Sequence, residues 1–189
     1  PMLTVIGNAL IGRMSDMRTG LAVEILRNDP EARLWQGYLE ALEGRWSAAD
    51  ASFRATASVL DRYPEDLQAL LRTAAAEAAV ETGDWDAANR QIVAATRAAD
   101  RPIQERLALL RARIDEVTGQ TVAALDAYER LSESGEAGVA ASARLRATVL
   151  GHAAGKVTVA DAIERLELLA LSWHGGDLEP RTISALAKL

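Results

Sequence analysis

The sequence predicts an all-α protein, and three observations lead to that prediction. Alanine, a strong helix former, accounts for 38 of the 189 residues. Apolar residues recur every three or four positions in helix-length stretches, as in Leu107, Leu110, Ile114 and Val117. A glycine-containing motif returns at an almost constant interval, which is typical of helical repeats. Only residues Thr4–Ile11 alternate in a way that could indicate a strand.

The repeated motif reads Gly, any residue, an aromatic or β-branched residue, two further residues, and Ala. Its glycines lie 39, 36 and 36 positions apart, and each separates two helix-length patterns. We therefore predict four antiparallel helix pairs, over residues 31–64, 65–101, 102–135 and 136–173. The four copies of the motif are Gly44–Ala49, Gly83–Ala88, Gly119–Ala124 and Gly155–Ala160.

The residues around each motif predict where helices end and begin. Glycine tolerates the left-handed conformation that closes a helix, so each motif glycine should end a first helix. Ser47, Asp86 and Thr158 are expected to be N-caps or first-turn residues of second helices. Pro102 fits the first turn of a helix. Trp46 and Trp85 should fill the gap between successive pairs, and truncating a buried Trp85 would cost about 3–5 kcal/mol.

The two ends of the chain stand apart from the repeat. We expect residues 1–30 to be an N-terminal arm or the remnant of a preceding domain, with a helix over Met17–Leu26, and residues 174–189 to form a C-terminal helix. The start at Pro1–Met2 and the apolar pattern that runs up to Leu189 suggest a segment of a longer protein. The longest uncharged apolar stretch, Leu3–Gly12, is too short for a spanning helix, which needs about 20 residues. We therefore expect a soluble domain. The sequence does not distinguish between the cell envelope and the cytoplasm as its compartment.

The motifs resemble the tetratricopeptide repeat family. In that family Phe or Tyr follows the motif Ala by four positions, and a small residue precedes the glycine by seven. The resemblance implies a right-handed superhelix of helix pairs that holds a segment of another protein in a concave groove. The residues at these positions here are Phe53, Ile92 and Tyr128 after the Ala, and Gly37, Ala76 and Ala112 before the glycine.

A second, looser resemblance concerns the end of the chain. Leu166, Leu169 and the run Trp173–Glu179 look like the closing segment of large repeat proteins of bacterial envelopes. His174 and an additional glycine depart from that pattern.

The resemblance to tetratricopeptide repeats implies a set of partner-binding positions on the first helices, counted back from each glycine. Arg106 and Arg113 lie on one helix face two turns apart and could together clamp a carboxylate. The alternative is that they pair with Glu77, Glu116 or their neighbours inside the molecule. The predicted groove residues are Thr73, Glu77 and Val80 in the second pair, Arg106, Leu109, Arg113 and Glu116 in the third, and His152 in the fourth.

Composition argues against several chemistries. The net charge of −6 disfavours nucleic-acid binding, which needs a basic face. The chain has no cysteine, and its two histidines lie 22 positions apart, so we predict no metal site. The alternative is a metal ion bound by His174 with Asp177 and Glu179. We also predict no cofactor and no catalytic residue, because no phosphate-binding loop or activated nucleophile is evident.

Two functional hypotheses from different classes follow. The first is a non-catalytic adaptor or scaffold that holds a short segment of a partner protein. The second is a structural spacer or self-association unit of a larger bacterial envelope or motility assembly, for which the apolar segments Leu3–Ile11 and Ile183–Leu189 would supply end faces. A third possibility is a catalytic domain elsewhere in a longer chain.

Overall fold

The computed structural model describes residues 1–173 and 177–189, and these residues contain twelve α-helices and no strand. The all-α prediction is confirmed. The chain divides into two compact units, residues 1–99 and residues 100–189. The helices of the first unit are α1 (Met2–Leu10), α2 (Met14–Leu21), α3 (Pro30–Leu42), α4 (Trp46–Ala55), α5 (Ala57–Leu60), α6 (Glu65–Thr82) and α7 (Trp85–Ala95). Those of the second are α8 (Arg101–Val117), α9 (Thr121–Leu131), α10 (Ala137–Ala153), α11 (Val159–Ser172) and α12 (Leu178–Leu186).

Within each unit, helices pack in pairs and each pair packs on the next along the chain. In the first unit the pairs are α1/α2, α3/α4 and α6/α7, with α3 contacting both α1 and α6. In the second unit the pairs are α8/α9 and α10/α11, and α12 packs on both helices of the last pair. Such nearest-neighbour packing is how helical pairs that cannot bury their own apolar faces become stable.

One turn geometry joins the two helices of every pair. At Gly83 the backbone has φ +81°, and the N–H of Asp84 donates to the carbonyl of Ala79 at 2.9 Å. This is a Schellman motif, in which a left-handed residue lets the chain satisfy the last carbonyls of the helix. The predicted role of the motif glycines is confirmed, and the same turn occurs at Gly12, Gly44, Gly119 and Gly155.

The turn at Gly12 corrects the expectation for the N-terminal residues. Residues Thr4–Ile11 lie in and just after helix α1, so the strand interpretation is wrong. Residues 1–30 are not an extended arm, and the helix expected over Met17–Leu26 instead spans Met14–Leu21. They contribute a fifth helix pair, followed by a 3₁₀ turn at Glu24–Leu26, and their side chains Val5 and Met17 are fully buried in the core of the first unit.

The last pair departs from the predicted register. Its second helix begins four residues after Gly155, whereas the others begin two residues after their glycine. Thr158 is the N-cap, with its hydroxyl accepting from the N–H of Asp161 at 3.1 Å. Ala160, the motif alanine in the sequence, is therefore exposed, and Ala162 occupies the buried position in its place.

Capping residues explain where the other helices start. Asp84 caps α7 through the N–H of Ala87 at 2.9 Å, so Asp86 is a first-turn residue. Asp100 caps α8 through the N–H of Ile103 at 3.0 Å, with Pro102 in the first turn as predicted. These carboxylates satisfy N–H groups that have no partner inside the helix.

Trp35 forms the centre of the first unit's core. Its side chain is fully buried, and its Nε1 donates to the hydroxyl of Tyr63 at 3.0 Å. The rings of Tyr38 and Tyr63 meet it edge to face, with centroids 5.6 Å and 6.1 Å away. Trp46 and Trp85, by contrast, are only half-buried.

Candidate functional site

The positions predicted on α6 are mostly inside the protein. Thr73 is 1% exposed, and its hydroxyl donates to the carbonyl of Ala69 at 2.7 Å. Val80 is also buried, while Glu77 is half-buried. The prediction that Thr73 and Val80 line an open groove is therefore wrong, because both side chains pack within the helix layer of the first unit.

The positions predicted on α8 lie at the edge of the second unit's core. Arg106, Leu109 and Arg113 are all half-buried. Leu109 packs against the buried cluster that contains Ala112 and Tyr128, so part of this side chain belongs to the core and part is exposed to solvent.

Glu116 belongs to a polar network that spans three helices. Its Oε2 accepts from the hydroxyl of Tyr128 at 2.6 Å and from Nη1 of Arg146 at 3.0 Å. Burial of the Tyr128 ring and the hydrogen bond to Glu116 raise the pKa of Tyr128 well above its ordinary value. Glu116 is thus hydrogen-bonded inside the molecule, to Tyr128 and Arg146.

His152 has a local structural role at the end of α10. Its Nδ1 lies 3.1 Å from the carbonyl oxygen of Val157. Because a carbonyl only accepts, Nδ1 carries the proton of this hydrogen bond. The imidazole thereby holds the turn that leads from α10 to α11.

A cleft of about 620 Å³ in the second unit lies between α8, α10 and α12. Its α8 wall is Glu116, which is one of the predicted groove residues. Its other walls combine aliphatic and hydroxyl side chains with charged groups. They comprise Ser142, Leu145, Arg146 and Val149 on α10, and Asp177, Leu178, Pro180, Arg181, Ser184, Ala185 and Lys188 in and beside α12.

The α10 wall occupies the same positions, relative to its glycine, as the residues predicted on α8. Ser142, Leu145 and Val149 precede Gly155 by the intervals at which Arg106, Leu109 and Arg113 precede Gly119. Sequence reasoning missed these three residues because it singled out only His152 on α10. Extending the same count to the whole helix would have found them, whereas no sequence signal marked Arg146.

Four of the five charged groups that line this α8–α10–α12 cleft form two ion pairs. Arg146 contacts Glu116, and Arg181 contacts the carboxylate of Asp177 at 2.7 Å along one helix face. Lys188 is exposed at the rim. Such a site offers apolar contacts and hydroxyl groups to a ligand, together with ion pairs that can exchange a partner.

Across residues 1–173 and 177–189, no cluster of three His, Asp or Glu side chains is arranged to hold a metal ion. No helix there combines the length and the apolar character needed to cross a membrane. His174, considered above with Asp177 and Glu179, lies outside the described residues.

Comparison of the chain with models of protein families, with curated proteins and with solved structures finds no match.

Proposed function

We propose that this protein is a non-catalytic interaction module whose second unit holds a short segment of a partner protein in the α8–α10–α12 cleft. The observation that carries the proposal is the cleft itself, which is walled by first helices and by the C-terminal helix. Its volume falls within the range of about 300–1,000 Å³ that is usual for ligand clefts. The right-handed superhelix of tetratricopeptide-like pairs is part of this proposal.

The walls suit a peptide better than a small charged metabolite. Val149 is 43% exposed, and with Leu178 and Pro180 it offers apolar surface that a partner side chain would cover. The hydroxyls of Ser142 and Ser184 can bond to peptide N–H and C=O groups. Burying apolar contact area beside a few directional hydrogen bonds is the usual basis of specific peptide binding.

A peptide selection tests this proposal. The purified chain is used to select binders from a random peptide library displayed on phage, and the enriched peptide is synthesised with a fluorescent label. We expect Val149→Glu to weaken its binding at least tenfold, because the carboxylate would enter the apolar wall. Val93→Glu is the matched control, since Val93 is 61% exposed on α7 and lies outside the cleft.

Both variants are first checked by thermal melting, so that a loss of binding is not confused with unfolding. Equal affinity of Val149→Glu and wild type for the selected peptide would exclude the cleft as the binding site. Failure to enrich any peptide would count against the whole proposal.

One observation favours the second function, self-association. Helix α1 carries no charged side chain, and Leu3, Leu10 and Ile11 are 86%, 53% and 64% exposed. Two copies can bring such a surface together without like-charge repulsion. Sedimentation equilibrium tests it: wild type should be oligomeric and Leu3→Glu/Leu10→Glu monomeric, whereas a monomeric wild type at high concentration would exclude this function.

A further inference from the structure

A second cleft, of about 340 Å³, opens on a different side of the second unit, between α9, α10 and α11. Each of the three helices contributes a separate short stretch to its lining, and none of these residues belongs to the α8–α10–α12 cleft. The lining consists of Glu129 and Ser132 from the end of α9, Arg144, Ala147 and Thr148 on α10, and Arg165, Leu168, Leu169 and Ser172 on α11.

The two arginines of this α9–α10–α11 cleft distinguish it from the other one. Arg144 and Arg165 are exposed, and neither forms an ion pair with another residue in the described ranges. Arg146 and Arg181 in the first cleft, by contrast, are both paired with carboxylates. Although the net charge of the chain is −6, two guanidinium groups at one cleft thus lack a carboxylate partner among the residues that the structure describes.

Apolar surface adjoins these cations. Arg165, Leu168 and Ser172 follow one another at intervals of three and four, so they share a face of α11. Leu168 is 59% exposed, while Leu169 is 4% exposed and forms the floor together with Ala147. An exposed leucine in the same cleft as two arginines offers apolar surface that a complementary side chain would cover.

We propose that the α9–α10–α11 cleft binds a segment of a partner protein that presents acidic side chains beside a leucine-like one. Arg144 and Arg165 bind the carboxylates, because guanidinium forms paired, charge-assisted hydrogen bonds with them. Leu168 and the floor at Leu169 contact the apolar side chain. Glu129, the acidic residue of the lining, disfavours a carboxylate in its own vicinity.

Two fluorescein-labelled peptides of equal length test this assignment with the full chain. One alternates glutamate and leucine, and in the other lysine replaces every glutamate. Non-specific attraction to a chain of net charge −6 would favour the lysine peptide. We expect wild type to prefer the glutamate peptide and Arg144→Glu/Arg165→Glu to reverse that preference. Each arginine lost should weaken binding of the glutamate peptide about tenfold.

The control variant Arg90→Glu/Arg97→Glu alters the total charge by the same amount at exposed arginines of the first unit, and it should keep the wild-type preference. If the charge reversal unfolds the second unit, Arg144→Gln/Arg165→Gln provides the neutral alternative. This variant should no longer prefer the glutamate peptide over the lysine peptide.

Three results would overturn the proposal. Wild type could fail to prefer the glutamate peptide, or the control could lose the preference as fully as the test variant does. Alternatively, Val149→Glu could abolish binding while Arg144→Glu/Arg165→Glu leaves it intact, which would place the peptide in the α8–α10–α12 cleft and leave the proposed function standing.

Discussion

The hydroxyl of Tyr128 donates to Oε2 of Glu116 at 2.6 Å, which ties the second helix of the α8/α9 pair to the first. Arg146 donates to the same oxygen at 3.0 Å and so brings α10 into the network. Tyr128 is fully buried, whereas Glu116 also lines the α8–α10–α12 cleft. A residue of the proposed binding surface is thereby held in position by the core of the unit.

Replacing Tyr128 with Phe should lower the free energy of unfolding by about 1–3 kcal/mol, because a hydrogen bond to a carboxylate is lost while the ring stays packed. Urea unfolding of Tyr128→Phe, Glu116→Gln and the double variant forms a double-mutant cycle. We expect the cost of the double variant to be clearly smaller than the sum of the two single costs. Simple additivity would mean that this contact contributes nothing to stability.

Most of the fold could be predicted because glycine marks each helix turn directly. A left-handed turn nearly requires glycine, so Gly44, Gly83, Gly119 and Gly155 identified four pairs. The first pair escaped detection although Gly12 makes the same turn. Met14 stands where the motif has an aromatic or β-branched residue, and Met17 replaces the motif Ala, so the pattern of side chains gave no match.

The site was less predictable because a position on a helix does not by itself determine exposure. Val80 and His152 both precede their glycine by three positions, but Val80 is 3% exposed whereas His152 is only half-buried. Arg146 lines the cleft where it donates to Glu116, a residue that lies 30 positions earlier in the chain. Contacts of that kind depend on how helices pack, and no local sequence pattern records them.

Gly37 should not tolerate a methyl group. A Cβ added there would lie 2.9 Å from Cβ of Ser52, where α3 crosses α4, so Gly37→Ala is expected to destabilise the protein by about 1–3 kcal/mol despite the better helix propensity of alanine. Gly7→Ala is the matched control. Gly7 lies within α1 with open space around it, so this change should stabilise the protein by about 0.5–1 kcal/mol.

Thermal melting of both glycine variants distinguishes packing from propensity. Opposite shifts of the melting temperature are expected. A Gly37→Ala variant at least as stable as wild type would show that the two helices can separate at no cost.

The tryptophans should contribute unequally to stability. Trp35 is fully buried and bonded to Tyr63, so Trp35→Ala should cost about 3–5 kcal/mol. Trp85 is only half-buried, so Trp85→Ala should cost less than about 2 kcal/mol, well below the value expected from the sequence for a buried ring. Guanidinium unfolding followed by circular dichroism measures both, and equal costs would contradict the burial seen here.

The loss of stability on acidification should depend in part on Glu43, which closes α3 and contacts the first helix pair. Nε of Arg18 on α2 donates to its carboxylate at 3.1 Å, and Arg45 donates to the other oxygen at 2.9 Å. The hydrogen bond from Arg18, followed by that from Arg45, holds the pKa of Glu43 below its ordinary value. Because the folded-state pKa is the lower one, this contribution is complete above the ordinary value of 4.5 and disappears as the pH falls through the folded-state pKa.

Glu43→Gln should therefore reduce the free energy of unfolding near neutral pH by at most about 1 kcal/mol, since the pair is partly exposed to solvent. The difference from wild type should vanish well below the ordinary pKa, where the wild-type carboxylate is protonated. Urea unfolding across this pH range measures the difference, with Glu24→Gln as a control at an exposed carboxylate of the same unit. A difference that persisted unchanged into strong acid would mean that Glu43 acts through packing, because a protonated carboxyl cannot attract Arg18 and Arg45 as an anion does.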